Sequence, residues 1–479
     1  MRTTSAAHGE PTHLRRDALG LPELVFQGVT HIAPALNIVF TFPIIALKAG
    51  PTMPLSLLLA MVVCVFIANT VSQFSRYMPS SGGYYAFATR GLGARSGFIA
   101  TWSYLIYDIF SPAGANGFLG YLIADMLRIQ FGLSIAWWLV ALVIFVITWM
   151  LTREGIRLSM RFTALLGGIE LLIMMALAIT CFLHPGPDVD ALAPLSPSAA
   201  PNHFGGIIAG MVFAILALSG FEAPAPLAQE SRDSNRLVGR AVMLSLLTTG
   251  GVYVFSSYAS AIGWGTGNMA AFANNPNPFY AIARALWGSA WWLVAFALIN
   301  SVIASALACT NAASRVMYTM GRAGTLPAIF GRLHPVHQTP TFAIGFTQLF
   351  GYAVVLLVGL LLGPEDVFSF LGTVSALAAI VLYCMANLAL TSYMRRVHRD
   401  RFTIWQHFAA PWIATLGLLP VMYVTVYPVP DWPYYLAPYL FGVMLLVGFG
   451  YMQWLEAREP GALLRGASVL GGAETPTSS

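Results

Sequence analysis

Three carboxylates stand inside long apolar runs of this chain. They are Asp108 in SYLIYDIFSPAG, Glu170 in LLGGIELLIMM and Glu222 in LALSGFEAPAP. An ionisable side chain at membrane depth costs about 2.5–3.5 kcal/mol on insertion scales, so each is a functional candidate. A carboxyl held there can exchange a proton or face a cationic group. Two apolar runs also carry helix breakers. HIAPALN (31–37) has Pro34 near its middle, and LSGFEAPAP (218–226) has Gly220, Pro224 and Pro226. Proline removes a helix hydrogen bond and clashes with the preceding turn. A broken helix leaves amides and a positive half-helix end for an anion, and carbonyls for a cation. The candidate contacts for a small polar solute are therefore Ile32, Ala33, Pro34, Ala35 and Leu36 at the first break. At the second they are Ser219, Gly220, Phe221 and Glu222. His31 is the histidine of the first break, and an unperturbed imidazole titrates in the neutral range, but a single histidine is more often a hydrogen-bond partner than a site. No catalytic residue and no metal ligand set is expected.

The elements that position these groups are membrane helices. Of 479 residues, 57% are hydrophobic and 9% charged, against about 25% charged in soluble domains. Unbroken runs such as IAWWLVALVIFVITWML (135–151) suit helices and exclude an alternating barrel strand. A span needs about 20 apolar residues. The expected spans are 23–48, 54–76, 97–127, 135–152, 157–183, 203–228, 238–262, 287–318, 340–362, 366–393, 403–427 and 433–456. The expected fold is thus an all-α polytopic membrane protein of about twelve transmembrane helices. Residues 1–22 read as a cytoplasmic tail followed by a retained first helix, and 458–479 as a second cytoplasmic tail. The net charge of +5 is no nucleic-acid signature, because basic residues sit in short loops and no basic run is interleaved with aromatics. Cys64, Cys181, Cys309 and Cys384 fall inside spans and read as buried structural thiols.

Loop charge fixes the expected orientation in the inner membrane. With the N-terminus in the cytoplasm, every Lys and Arg except Lys48, Arg128 and Arg284 falls on the cytoplasmic side. The two breaks lie five spans apart, and five is odd, so the second five spans are inverted relative to the first. The stretches 77–96 and 263–286, after spans two and seven, each hold a short helix-like piece. Together these features predict a 5+5 inverted repeat with broken helices 1 and 6 meeting at the site. The core would run over 23–395, with helices 11 and 12 over 396–457.

Several segments resemble the amino acid/polyamine/organocation permeases, which adopt the leucine-transporter-type fold. They are GP at 50–51, PSSGGYYAFATRGLG at 79–93, GFIATWSYLIY at 97–107 and GIRLSMRFTALLGGIEL at 155–171. SGFEAPAPLAQESRDSNRLVGRAV at 219–242 and SRVMYTMGRAGTLP at 314–327 complete the series. The chain departs from the family in three places. Ala33-Pro34-Ala35-Leu36 replaces a Gly-rich run, Ala323 stands where Asp is common, and Ser234 and Gly239 stand where prolines are usual.

The resemblance implies a secondary active transporter that moves amino acids by alternating access. Backbone groups at the two breaks would hold the solute, and Phe221 would gate it. Asp108, on a helix that lines the family's site, would face an amine. Glu170 stands where some proton-coupled relatives carry Lys, which implies a proton as coupling ion; sodium is the other possibility, with Ser301 and Ser305 as oxygen donors. No cofactor is implied. A polyamine or organic-amine permease or exchanger is an alternative, and a channel or nutrient sensor of the same fold is another. An ATP-driven pump is excluded for this chain alone, since Lys48 lacks the Walker context. HExxH is absent and Asp108 has no second mid-span Asp, so an intramembrane protease lacks its ligands.

Overall fold

The structure, a computed structural model, describes residues 14, 18–78, 80, 82–154, 156–275, 277–427 and 432–469. Most of the N-terminal tail, with Arg2, Arg15 and Arg16, lies outside the described residues. So do Pro79 and Ser81 of the PSSGGYY motif, Gly155, and the end of the C-terminal tail from 470.

Helix covers each of the twelve expected segments. The chain begins with α1 (Leu21–Ile32), α2 (Pro34–Ala49), α3 (Met53–Tyr77), α4 (Tyr84–Leu92) and α5 (Ala94–Phe131). It continues with α6 (Trp137–Arg153), α7 (Ile156–Leu183), α8 (Phe204–Leu218) and α9 (Ser234–Trp264). Two short helices follow, α10 (Met269–Asn274) and α11 (Pro278–Trp287), then α12 (Trp292–Arg322), α13 (Thr341–Leu362) and α14 (Val367–Val397). Last come α15 (Ala410–Val426), α16 (Leu436–Arg458) and α17 (Ala462–Val469). Among the described residues, eight helical stretches are long and apolar enough to cross a membrane. The helices α6 and α8 are apolar but shorter, at 17 and 15 residues.

The helix surfaces are apolar where a soluble protein would be polar. Leu139, Leu142, Val143, Val146, Ile147 and Met150 are all exposed along one face of α6. A continuous apolar face of that kind is a membrane or partner surface. The interior carries the polar groups instead: Asp108, Glu170 and Glu222 are all fully buried.

Not every proline interrupts its helix. Pro43, Pro112 and Pro420 sit inside α2, α5 and α15, which run on through them. Pro34 differs because Ala33 before it is left-handed, at φ 58° and ψ 68°. Pro34 then becomes the first residue of a new helix, where its missing N–H costs nothing. The helix-like pieces expected after spans two and seven are α4 and the α10–α11 pair. The segment expected to be a C-terminal tail holds a helix: α17 packs against α4, α5 and α12.

Candidate functional site

The two interrupted segments touch. The first break is the left-handed Ala33 between α1 and α2. The second begins where α8 stops at Leu218, and turns occupy 219–224 before a 3-10 segment over 225–230. Gly220 at φ +116° sits against the end of α1: a Cβ there would fall 2.6 Å from His31 Cδ2 and 3.0 Å from the Ile32 nitrogen. Only glycine combines that backbone angle with that approach.

Opening two helices exposes backbone groups that, where buried, must find partners. The chain supplies them. Glu170 Oε1 accepts from the Ala35 amide at 3.4 Å and from Ser301 Oγ at 3.1 Å. Ser301 in turn accepts from the Leu36 amide at 3.2 Å. The positive N-terminal end of α2 therefore already faces a carboxyl of this chain. On the carbonyl side, the Asn37 amide donates to the Ile32 oxygen at 2.6 Å and to the Ala217 oxygen at 3.2 Å. One side chain thus links the last turns of α1 and α8. Ser305 Oγ donates to the His31 oxygen at 3.3 Å.

Glu222 does the same work at the second break. Its Oε2 accepts from the Gly220 amide at 3.1 Å, and its Oε1 accepts from the Tyr383 hydroxyl at 2.8 Å. Phe221 is fully buried and stacks on Tyr383, with centroids 6.1 Å apart. In this conformation its ring packs between the break and α14.

Asp108 meets His31. Its Oδ1 lies 3.0 Å from His31 Nε2, within ion-pair distance though not aligned as a hydrogen bond. Cys309 Sγ lies 3.5 Å from the same nitrogen. The donor atoms of His31, Asp108 and Cys309 all lie within 4.8 Å of one another, a set of metal-ligand types that no sequence spacing announces. The unpartnered Nδ1 of His31 lacks the outer hydrogen bond usual for a metal-bound imidazole.

A cavity of about 620 Å³ opens beside the breaks. Its deep end is formed by His31, Ile32, Ala33, Ser219, Ser305 and Tyr107. Leu36, Asn37, Thr41, Ile44 and Lys48 of α2 form one wall, and Lys48 is exposed at the far end. The opposite walls come from α5, α8 and α14, with Ser111, Phe213 and Phe368 among them. Of the residues expected at the site, Ile32, Ala33, Leu36 and Ser219 line this cavity. Pro34, Ala35, Gly220, Phe221 and Glu222 form the breaks around it without lining it. Asp108 stands behind His31, and Glu170 behind Ala35. Tyr107 and Tyr383 had no signal in the sequence, and Lys48 stood out only as one of three basic residues off the cytoplasmic side. Asn37 did: it is the first polar residue after the break.

A helical membrane protein whose two interrupted segments meet beside a cavity has the make-up of a transporter. The profile of the family described as amino acid permease matches residues 24–455, and the chain belongs to that family. It is 25% identical over 413 residues to the low-affinity putrescine importer PlaP of Escherichia coli (strain K12), covering 85% of this chain and 87% of that one. It is 26% identical over 363 residues to the branched-chain amino acid permease BcaP of Bacillus subtilis (strain 168), covering 72% and 75%. The gamma-aminobutyric acid permease of Escherichia coli (strain K12) is 25% identical over 402 residues, covering 79% and 81%. This is a family of permeases, not of enzymes.

Proposed function

We propose that this chain carries amino acids across the cytoplasmic membrane by alternating access, coupled to the proton gradient. The observation that carries the reading is the contact of Gly220 with His31 and Ile32 beside a cavity. The two breaks meet there beside one cavity, the placement expected of a solute site between interrupted helices. The amino acid permeases among its relatives support that substrate class.

In this reading twelve spans cross the bilayer, with both termini in the cytoplasm. The first and second five form an inverted repeat, α1–α2 matching α8 and its continuation, and α4 matching the α10–α11 pair. Lys48 then lies at the outer end of α2, and the cavity opens outward. The cytoplasmic side is closed by Arg315 and Glu230, a buried pair 2.9 Å apart, and by the amides of Ala18 and Leu19 on the Glu230 carbonyl. Glu170 is the coupling residue. It faces α2 and α12 together, so a change in its charge alters how α2 is held against the α12 side of the bundle.

The test is uptake into proteoliposomes with and without an imposed pH gradient, using a panel of labelled amino acids. Saturable uptake that rises with inward proton force supports the reading; flux that never saturates points to a channel.

A further inference from the structure

The cavity walls carry little charge. The lining includes neither Asp nor Glu, and its ionisable groups besides tyrosine are His31 at depth and Lys48 at the mouth. The carboxyls nearest the cavity are turned to other work. Asp108 is covered by His31. Glu222 is bonded to the Gly220 amide and the Tyr383 hydroxyl. Glu170 is bonded to Ala35 and Ser301. At the rim, the Tyr434 hydroxyl lines the cavity and donates to Asp366 Oδ1 at 2.7 Å, so that carboxylate is already engaged.

We propose that this cavity takes an amino acid of zero net charge with an apolar side chain, not a diamine, and that Lys48 at its mouth turns cations away. The proposal rests on the permease reading above and names the substrate class of that site.

Four arguments support it. A dication entering the cavity leaves water and finds no free counter-charge, an arrangement that strongly disfavours binding. A zwitterion of zero net charge brings its own counter-charge and so needs none from the wall. The remaining wall is apolar, with Leu36, Phe213, Leu216 and Phe368 positioned to cover an aliphatic or aromatic side chain. Lys48 adds a repulsion that acts before entry, so it is screened by salt.

The experiment uses the full chain in proteoliposomes. Uptake of labelled leucine or phenylalanine is measured against unlabelled leucine, phenylalanine, arginine and putrescine at low and high salt. The expected result is saturable uptake of the neutral pair, with putrescine and arginine at least about tenfold weaker as competitors, a gap of about 1.4 kcal/mol. Two variants add or reverse charge. Lys48→Glu should make arginine and putrescine several-fold better competitors at low salt, with the gain shrinking at high salt. Ser111→Asp, which places a carboxylate in the wall, should do so at both. Saturable putrescine uptake by the parent protein, at an affinity matching leucine, overturns the proposal while leaving the permease reading intact. Unchanged cation competition in both variants also overturns it. Uptake of no amino compound at all overturns the permease reading and this proposal with it.

Discussion

Glu170 on α7 reaches across to the amide of Ala35, the second residue of α2, with 3.4 Å between Oε1 and nitrogen. A carboxyl from one helix thereby caps the start of another that is broken at the middle of the protein. The same oxygen receives the Ser301 hydroxyl from α12, so three helices are joined through one atom. Replacing the carboxyl by an amide removes the titratable group without emptying the space. Glu170→Gln is expected to abolish accumulation driven by a pH gradient while sparing exchange of internal for external substrate. Parallel uptake and counterflow assays on the same proteoliposomes separate the two. Equal gradient-driven accumulation by mutant and parent would remove Glu170 from coupling.

Gly220→Ala forces a methyl group into the contact with His31 and Ile32 and places alanine at φ +116°. Overpacking of this kind costs about 1–3 kcal/mol, and the backbone strain adds about 1–3 kcal/mol. The expected outcome is lost uptake with a lower melting temperature of the detergent-purified protein. A mutant of normal stability and normal uptake would mean that the breaks do not need this approach.

Asn37→Ala leaves the Ile32 and Ala217 carbonyls without their shared donor, and Thr41 Oγ1 without the Asn37 oxygen it donates to at 2.8 Å. A buried polar group stripped of its partner costs about 1–3 kcal/mol. Because Asn37 also lines the cavity, the substrate KM should rise along with the loss of stability. Asn37→Asp keeps the acceptor for Thr41 but not the donor, and should behave like the alanine variant.

The helical segments were legible in the sequence because a long apolar run shows itself by length and content alone. The first break was also legible, since a proline in an apolar run has few explanations, although Pro43 shows that a second proline nine residues later changes nothing visible. What separates the two is Ala33, whose left-handed backbone no residue type announces. The site was only partly readable. Glu170, Asp108 and Glu222 stand out because charge in an apolar run is rare, yet their partners do not. Tyr383 looks like any aromatic of a membrane helix, and Cys309 like any buried thiol. Contacts such as Gln27 to the Ala308 carbonyl join residues 281 positions apart, a separation that periodicity within one helix cannot reach. The short helix α17 was missed because eight residues at a chain end carry too little pattern to stand apart from a tail.

Arg315 and Glu230 form a fully buried pair, and Arg315 also donates to Asn311 Oδ1 at 3.1 Å. Removing one partner of a buried pair costs about 3–5 kcal/mol, because the other charge stays behind. Arg315→Gln and Glu230→Gln should each lower the melting temperature markedly, and the double variant should be less destabilised than the sum of the two. If the pair closes the cytoplasmic side, all three should also raise labelling of cysteines introduced at Gln27 by reagents added from that side. Unchanged labelling in every variant would assign the pair a purely structural role.

The central claim is that the meeting point of the two interrupted helices is where solute binds. Ser219→Cys, in a chain whose four native cysteines are replaced, places a thiol in the cavity wall at that point. Reaction with a small membrane-impermeant thiol reagent is the measurement, with and without saturating neutral amino acid. The predicted result is ready modification that the amino acid suppresses, while a thiol at the exposed Ser198, in the connection between α7 and α8, shows no such protection. Modification at Ser219→Cys that no transported solute slows would contradict it.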